Sequence, residues 1–98
     1  MHPVKISEVF LRYYNNMELE QFIDNIADLF EETDPDTIEA TTRFKELKEW
    51  SSLIALSIIA MVDEEYDVEF HGENIRNSNT VEDLYNAVIV AQEEQQED

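Results

Sequence analysis

The chain has 98 residues, enough for one domain with a single small core. Six Lys and Arg against 24 Asp and Glu give a net charge of −18, which disfavours nucleic acid and anionic membranes and favours basic protein surfaces. Cysteine is absent, so the polypeptide has no disulfide and no thiolate for catalysis or zinc binding. Only one glycine and two prolines occur, which favours helices joined by short loops and predicts an all-α fold.

The first sixteen residues differ in charge from the rest. Lys5 and Arg12 outweigh Glu8, so residues 1–16 carry a net charge of +1. We predict that they form an N-terminal extension and that the functional domain begins at Met17. Two hypotheses remain open for the extension: a product of translation from an upstream start, or a short docking helix. The apolar residues of such a helix would be Val9, Phe10, Tyr13 and Tyr14.

No targeting segment or membrane span is expected. Residues 1–16 lack a continuous apolar run and a small-residue cleavage site, so we expect no secretory signal and a cytoplasmic protein. The longest apolar run, Leu53 to Val62, has ten residues and is interrupted by Ser57. It is about half as long as a helix that crosses a bilayer.

The first helix is predicted from Met17 to Phe30. Its apolar residues recur at the spacing of one helix face, Asn15 or Asn16 can cap its start, and Asp34-Pro35 turns the chain away. The connection over residues 33–51 is polar, with a short helical turn expected near residues 35–40. Four apolar anchors are expected to pin it to the core: Ile38, Phe44, Leu47 and Trp50.

Three further helices follow. The second is predicted over residues 52–66, and a short one near residues 73–77 follows a break that contains Gly72. Thr80 to Asp83 has the pattern of a capping box and precedes the apolar spacing of a last long helix. The acidic tail, residues 93–98, is too polar to pack and is expected to fray. The prediction is a small bundle of three long helices and one short helix.

Ser52, at the start of the second helix, has two interpretations. A serine at this position is commonly an N-cap that satisfies free backbone N–H groups. A hydroxyl displayed beside the positive end of the helix dipole also suits a serine that carries a phosphodiester. Local sequence alone leaves both open.

The residues that follow Ser52 resemble the acyl carrier proteins. In that family a Ser-Leu pair opens the second helix, followed by apolar residues, an acidic triplet, an aromatic residue and a short turn. This chain has Ser52-Leu53, then Leu56, Ile59 and Val62, Asp63-Glu64-Glu65, Tyr66, and Asp67-Val68-Glu69-Phe70. The match is gapless through Thr80-Val81, which is similar to the family's start of the final helix, and the resemblance covers about residues 17–92.

The resemblance implies a carrier without catalytic activity of its own. Ser52 would receive 4′-phosphopantetheine from coenzyme A through a separate phosphopantetheinyl transferase, and the thiol of that arm would hold acyl groups as thioesters. Expected partners are the transferase and acyl-loading and acyl-transfer enzymes with basic surfaces, and a monomer is expected. The candidate partner-binding residues are Leu53, Ile54, Leu56, Asp63 and Glu64, with Ala60 as a further candidate. Ile58, Val62 and Tyr66 are expected in the core.

Two departures from the family pattern affect the choice of partners. Ser51 stands where most of the family has Asp, although serine can also act as an N-cap. Acids are also usual two and five residues after the attachment serine, where this chain has Ile54 and Ser57. We predict a dedicated set of partners, distinct from the general enzymes of fatty-acid synthesis.

The sequence leaves three alternatives to a carrier. Asp67, Glu69, His71 and Gly72 match the first positions of an EF-hand loop, but Ser78 stands where the bidentate glutamate is needed. An acidic interaction module, including a nucleic-acid mimic, would use Ser52 only as a cap. An independent enzyme is the weakest alternative, because His2 and His71 are the only histidines and no nucleophile-base pair is indicated.

Overall fold

The chain is described by a computed structural model that gives the backbone of residues 8–96 and the side chains of residues 18–95. Within this range all regular secondary structure is helical. The four α-helices are α1 (Glu8–Leu29), α2 (Ser52–Tyr66), α3 (Gly72–Arg76) and α4 (Val81–Gln96), and two 3-10 turns (Pro35–Thr37 and Phe44–Glu46) lie in the α1–α2 connection. The prediction of an all-α bundle with three long helices and one short helix is confirmed.

The helices enclose one core. Helices α1, α2 and α4 pack against one another, and α3 packs against α2 and α4. The side chains that are at most 1% exposed come from every long helix and from the connections: Phe22, Ile26, Phe30, Phe44, Ile58, Val62, Val81, Leu84 and Val88. Phe22 lies between Tyr66 and Tyr85, at 5.7 and 5.6 Å between ring centroids. This apolar burial is the main term that stabilises the bundle.

Helix α1 begins earlier than the sequence indicated. The backbone is one continuous helix from Glu8 to Leu29, so the expected start after an Asn15 or Asn16 cap is wrong. No glycine or proline interrupts this stretch, and the helix penalty of an asparagine is well under 1 kcal/mol. A capping residue within a strong helical context therefore continues the helix instead of ending it. The side chains of the proposed docking helix lie outside the described residues, and the extension hypotheses stay predictions.

The long connection is held by the anchors that the sequence predicted. Ile38 and Phe44 are buried, Leu47 and Trp50 are half-buried, and the rings of Phe44 and Trp50 meet edge to face at 5.3 Å. The expected turn is the 3-10 turn Pro35–Thr37.

Hydrogen bonds from other elements fix the same connection. Its backbone carbonyls at Ala40 and Thr42 accept hydrogen bonds from the N–H groups of Glu82 and Val81, respectively. These two N–H groups lie in the first turn of α4 and have no acceptor within the helix. The Lys45 ammonium donates to the Ile75 and Arg76 carbonyls at the end of α3. The connection is therefore tied to the two C-terminal helices as well as to the core.

The caps at the C-terminal end of the chain follow the sequence closely. Asp83 accepts from the Thr80 N–H at 3.1 Å while the Thr80 hydroxyl accepts from the Asp83 N–H at 3.1 Å, which confirms the capping box. Helix α4 continues to Gln96, so residues 93–96 of the predicted acidic tail are helical. The Gln95 side chain donates to the Asp67 carbonyl at 2.9 Å and joins this last turn to the end of α2.

No helix in the described part of the chain is long and apolar enough to cross a membrane.

Candidate functional site at the start of helix α2

The two serines at the start of α2 have different roles. Ser51 is the N-cap, with extended backbone angles of φ −158° and ψ 168°, and its hydroxyl accepts from the Ile54 N–H at 3.3 Å. Ser52 is the first helical residue and is exposed to solvent. Within the described residues its hydroxyl has no hydrogen-bond partner. The interpretation of Ser52 as the cap is therefore wrong, and its hydroxyl is available for other chemistry.

The surroundings of Ser52 are compatible with a phosphate ester. The first turn of α2 contains no acidic residue that would repel an anion. The free N–H groups and the dipole at a helix start favour negative charge. An exposed hydroxyl on the first turn can also be reached by a modifying enzyme without opening the core.

Two residues stand where the resemblance led us to expect acids, and neither of them is fully exposed. Ile54 is 8% exposed and belongs to the core, so a carboxylate there would face the cost of burial. This corrects the expectation that Ile54 lies on a partner-facing surface. Ser57 is half-buried, and its hydroxyl donates to the Leu53 carbonyl at 3.1 Å, a bond within the helix.

The exposed face of α2 is apolar near its start. Leu53 is 71% exposed and Leu56 is 62% exposed, and Ala60 is also exposed. Because these three residues are spaced by three and four positions, they lie on one side of the helix. We call Leu53, Leu56 and Ala60 the apolar stripe. Two large leucines that are exposed one helical turn apart are typical of a contact surface. Burying a leucine side chain fully is favourable by about 1.5–3 kcal/mol, and a partner that covers these residues would provide this free energy.

The end of α2 is acidic. Asp63, Glu64 and Glu65 are exposed, and the helix contains no basic residue. Four of the five expected partner-binding residues, Leu53, Leu56, Asp63 and Glu64, are therefore at the surface. Expected core residues Ile58 and Val62 are fully buried.

Tyr66 is only partly buried, although it was expected in the core. Its ring packs on Phe22, and its hydroxyl accepts from the Asn25 side chain at 3.0 Å. Burial raises the pKa of the Tyr66 phenol, against the lowering effect of the Asn25 hydrogen bond. Helix α2 then stops at Asp67, whose left-handed backbone (φ 54°, ψ 42°) ends the helix.

A groove of about 440 Å³ is formed in part by Leu56 and Ala60 of the apolar stripe. Its lining comes from α2 and from the segment after it: Leu56, Ile59, Ala60, Asp63, Glu69 and Phe70. At 1.5 Å per residue, its α2 residues lie about 6–17 Å along the helix from Ser52. We call it the α2 groove. Sequence reasoning did not place Glu69 and Phe70 here, because no periodic pattern connects an extended segment to a helix face.

The segment proposed as a calcium loop has a different structure. Residues 72–76 form α3, and the N–H of His71 donates to the Asn74 side chain at 2.8 Å at its start. Ser78 is buried and donates to the Asn74 carbonyl. The twelve positions therefore do not form one open loop. Among the described residues, no group of three or more His, Asp or Glu side chains is arranged to hold a metal ion.

Comparison with protein-family models, with curated proteins and with solved structures finds no match to this chain.

Proposed function

We propose that this protein is a carrier that bears 4′-phosphopantetheine on Ser52 and presents thioester-bound acyl groups to partner enzymes. The observation that carries the proposal is that the two adjacent serines have different structural roles. Ser51 caps the helix, so the Ser52 hydroxyl is exposed and has no hydrogen-bond partner among the described residues. A serine that served only the helix would be expected to make the cap bond itself.

The attachment needs little from the chain. The Ser52 oxygen forms a new P–O bond to the phosphorus next to pantetheine in coenzyme A, the pyrophosphate P–O bond breaks, and adenosine 3′,5′-bisphosphate leaves. A base of the phosphopantetheinyl transferase takes the hydroxyl proton. The start of α2 contributes free N–H groups and a positive dipole end, which stabilise the resulting phosphodiester.

The cofactor would supply the thiol that this cysteine-free chain lacks, and with it thioester chemistry. The fold would supply recognition. The apolar stripe begins one residue after Ser52, and the acids Asp63 and Glu64 lie about three turns further along the helix. This arrangement fits a transferase or acyl-transfer enzyme that has an apolar contact near its active site and a basic patch beyond it.

The test is the intact mass of the protein after incubation with coenzyme A, magnesium and a broad-specificity transferase. We expect a gain of one phosphopantetheinyl unit that is lost in Ser52→Ala. Ser51→Ala is the matched control: it changes the adjacent hydroxyl and should still be modified. Absence of a mass gain with several transferases would reject the carrier function.

An acidic interaction module without a prosthetic group is the second candidate. The exposure of Leu53 and Leu56 beside an acidic helix end favours partner binding whether or not Ser52 is modified. Variants distinguish the two functions in cells. If the cellular function of the protein is retained in Ser52→Ala but lost in the double variant Leu53→Ser with Leu56→Ser, the interaction module is supported.

A further inference from the structure

The α2 groove combines an apolar surface with two carboxylates. Phe70, only 3% exposed, and Ile59 line its apolar part, while Asp63 comes from α2 and Glu69 from the segment after it. Both carboxylates are exposed, and among the described residues neither has an ion-pair partner. The lining contains no basic residue. The groove is therefore complementary to a small group that is partly apolar and positively charged.

The core behind the groove is filled. Ile58 and Val62, on the inner side of the same helix, have no exposed surface, and they belong to one core cluster with Phe22 of α1. A long hydrocarbon chain would have to displace these side chains or remain in the open groove beside two carboxylates. A short cargo with an amino group fits both parts of the groove, because its carbon atoms can contact the apolar lining and its ammonium can lie beside the carboxylates.

We infer that the α2 groove receives a short acyl cargo with a free cationic amino group, an aminoacyl unit, and that Asp63 and Glu69 recognise this amino group. The inference rests on the proposed attachment at Ser52. The groove lies along the helix from Ser52 on the side of the apolar stripe, so an attached arm can follow Leu53 and Leu56 to reach it. Since exposed ion pairs contribute little, the preference over an uncharged cargo should be about two- to fivefold.

The experiment compares two cargoes that differ only in the amino group. The full-length protein is loaded at Ser52 with alanyl or propionyl arms, each held by an amide in place of the thioester to prevent hydrolysis, and loading is verified by mass. Backbone amide shifts of Ile59, Ala60 and Phe70 are then recorded by NMR. We expect alanyl to shift these amides more than propionyl, and the difference to shrink at high salt, where exposed charges are screened.

Variants identify the groups responsible. Asp63→Asn with Glu69→Gln should remove most of the difference between alanyl and propionyl. Asp24→Asn with Glu82→Gln removes the same number of charges from exposed positions outside the groove and should leave the difference intact. Full loading with equal shifts for both cargoes, or with a difference that survives in the groove variant, would overturn the inference while the carrier function stands. Failure to load at all would instead reject the carrier function, and the inference with it.

Discussion

The adjacent serines allow a prediction in which stability and modification separate. Ser51→Ala removes the hydroxyl that accepts from the Ile54 N–H, and losing such an N-cap costs about 0.5–2 kcal/mol. The donor–acceptor distance of 3.3 Å is longer than the usual 2.9–3.0 Å, so we expect the lower part of this range, about 0.5–1 kcal/mol. For a domain of this size that corresponds to a fall in Tm of about 2–8 °C.

Ser52→Ala should behave in the opposite way. Its hydroxyl makes no hydrogen bond with the described residues, and alanine is the best helix former, so the free energy of unfolding should change by less than about 0.5 kcal/mol. Its modification should be abolished, whereas Ser51→Ala should still gain the phosphopantetheinyl mass.

Thermal unfolding followed by circular dichroism, together with intact mass, measures both effects on the same samples. Ser51→Asp provides a further control, because aspartate caps as well as serine and adds a favourable charge at the helix start. The reasoning would be refuted if Ser52→Ala lowered Tm as much as Ser51→Ala does, since the hydroxyl of Ser52 would then contribute to the helix.

Three further predictions test the packing and the charges. Phe22→Ala should lower the free energy of unfolding in urea by about 3–5 kcal/mol, because the Phe22 ring is fully buried between two tyrosines. Leu56→Ala, at an exposed position, should lower it by less than about 0.5 kcal/mol. Similar losses for the two variants would contradict the assigned core. Backbone hydrogen bonds from Asn79 and Thr80 lower the pKa of Asp83 below its ordinary value of 3.8, so its charged form favours folding above that pH and this contribution is lost as the pH falls through the lowered value. The stability advantage over Asp83→Asn in urea should therefore shrink in acid, and a gap that stays constant with pH would exclude this role. Finally, the excess negative charges of this chain, with a net charge of −18, repel one another in the folded state. Raising the ionic strength from about 0.01 to 0.15 M shortens the Debye length from about 30 to 8 Å and should therefore raise Tm. A fall in Tm would mean that attractive charge pairs dominate.

The sequence was most informative where one residue and its near neighbours decide the structure. The capping box of Thr80 and Asp83 and the apolar spacing of the long helices depend on contacts within one turn, and the structure confirms them. The start of α1 was mispredicted for a related reason. Asn15 and Asn16 can cap a helix or continue one, and the choice depends on whether the residues before them also form a helix.

The sequence by itself determined that the protein is helical, which helices are long, and that a serine pair opens the second helix. It did so because these features follow from helical periodicity and from hydrogen bonds between residues a few positions apart. The tertiary structure decided that Ile54 turns into the core while Leu53 and Leu56 stay outside, and that Glu69 and Phe70 join Asp63 around one groove. Those outcomes depend on how α2 is rotated against α1, α3 and α4. The first three turns of α2 are apolar on nearly every side, so their own pattern does not encode that rotation.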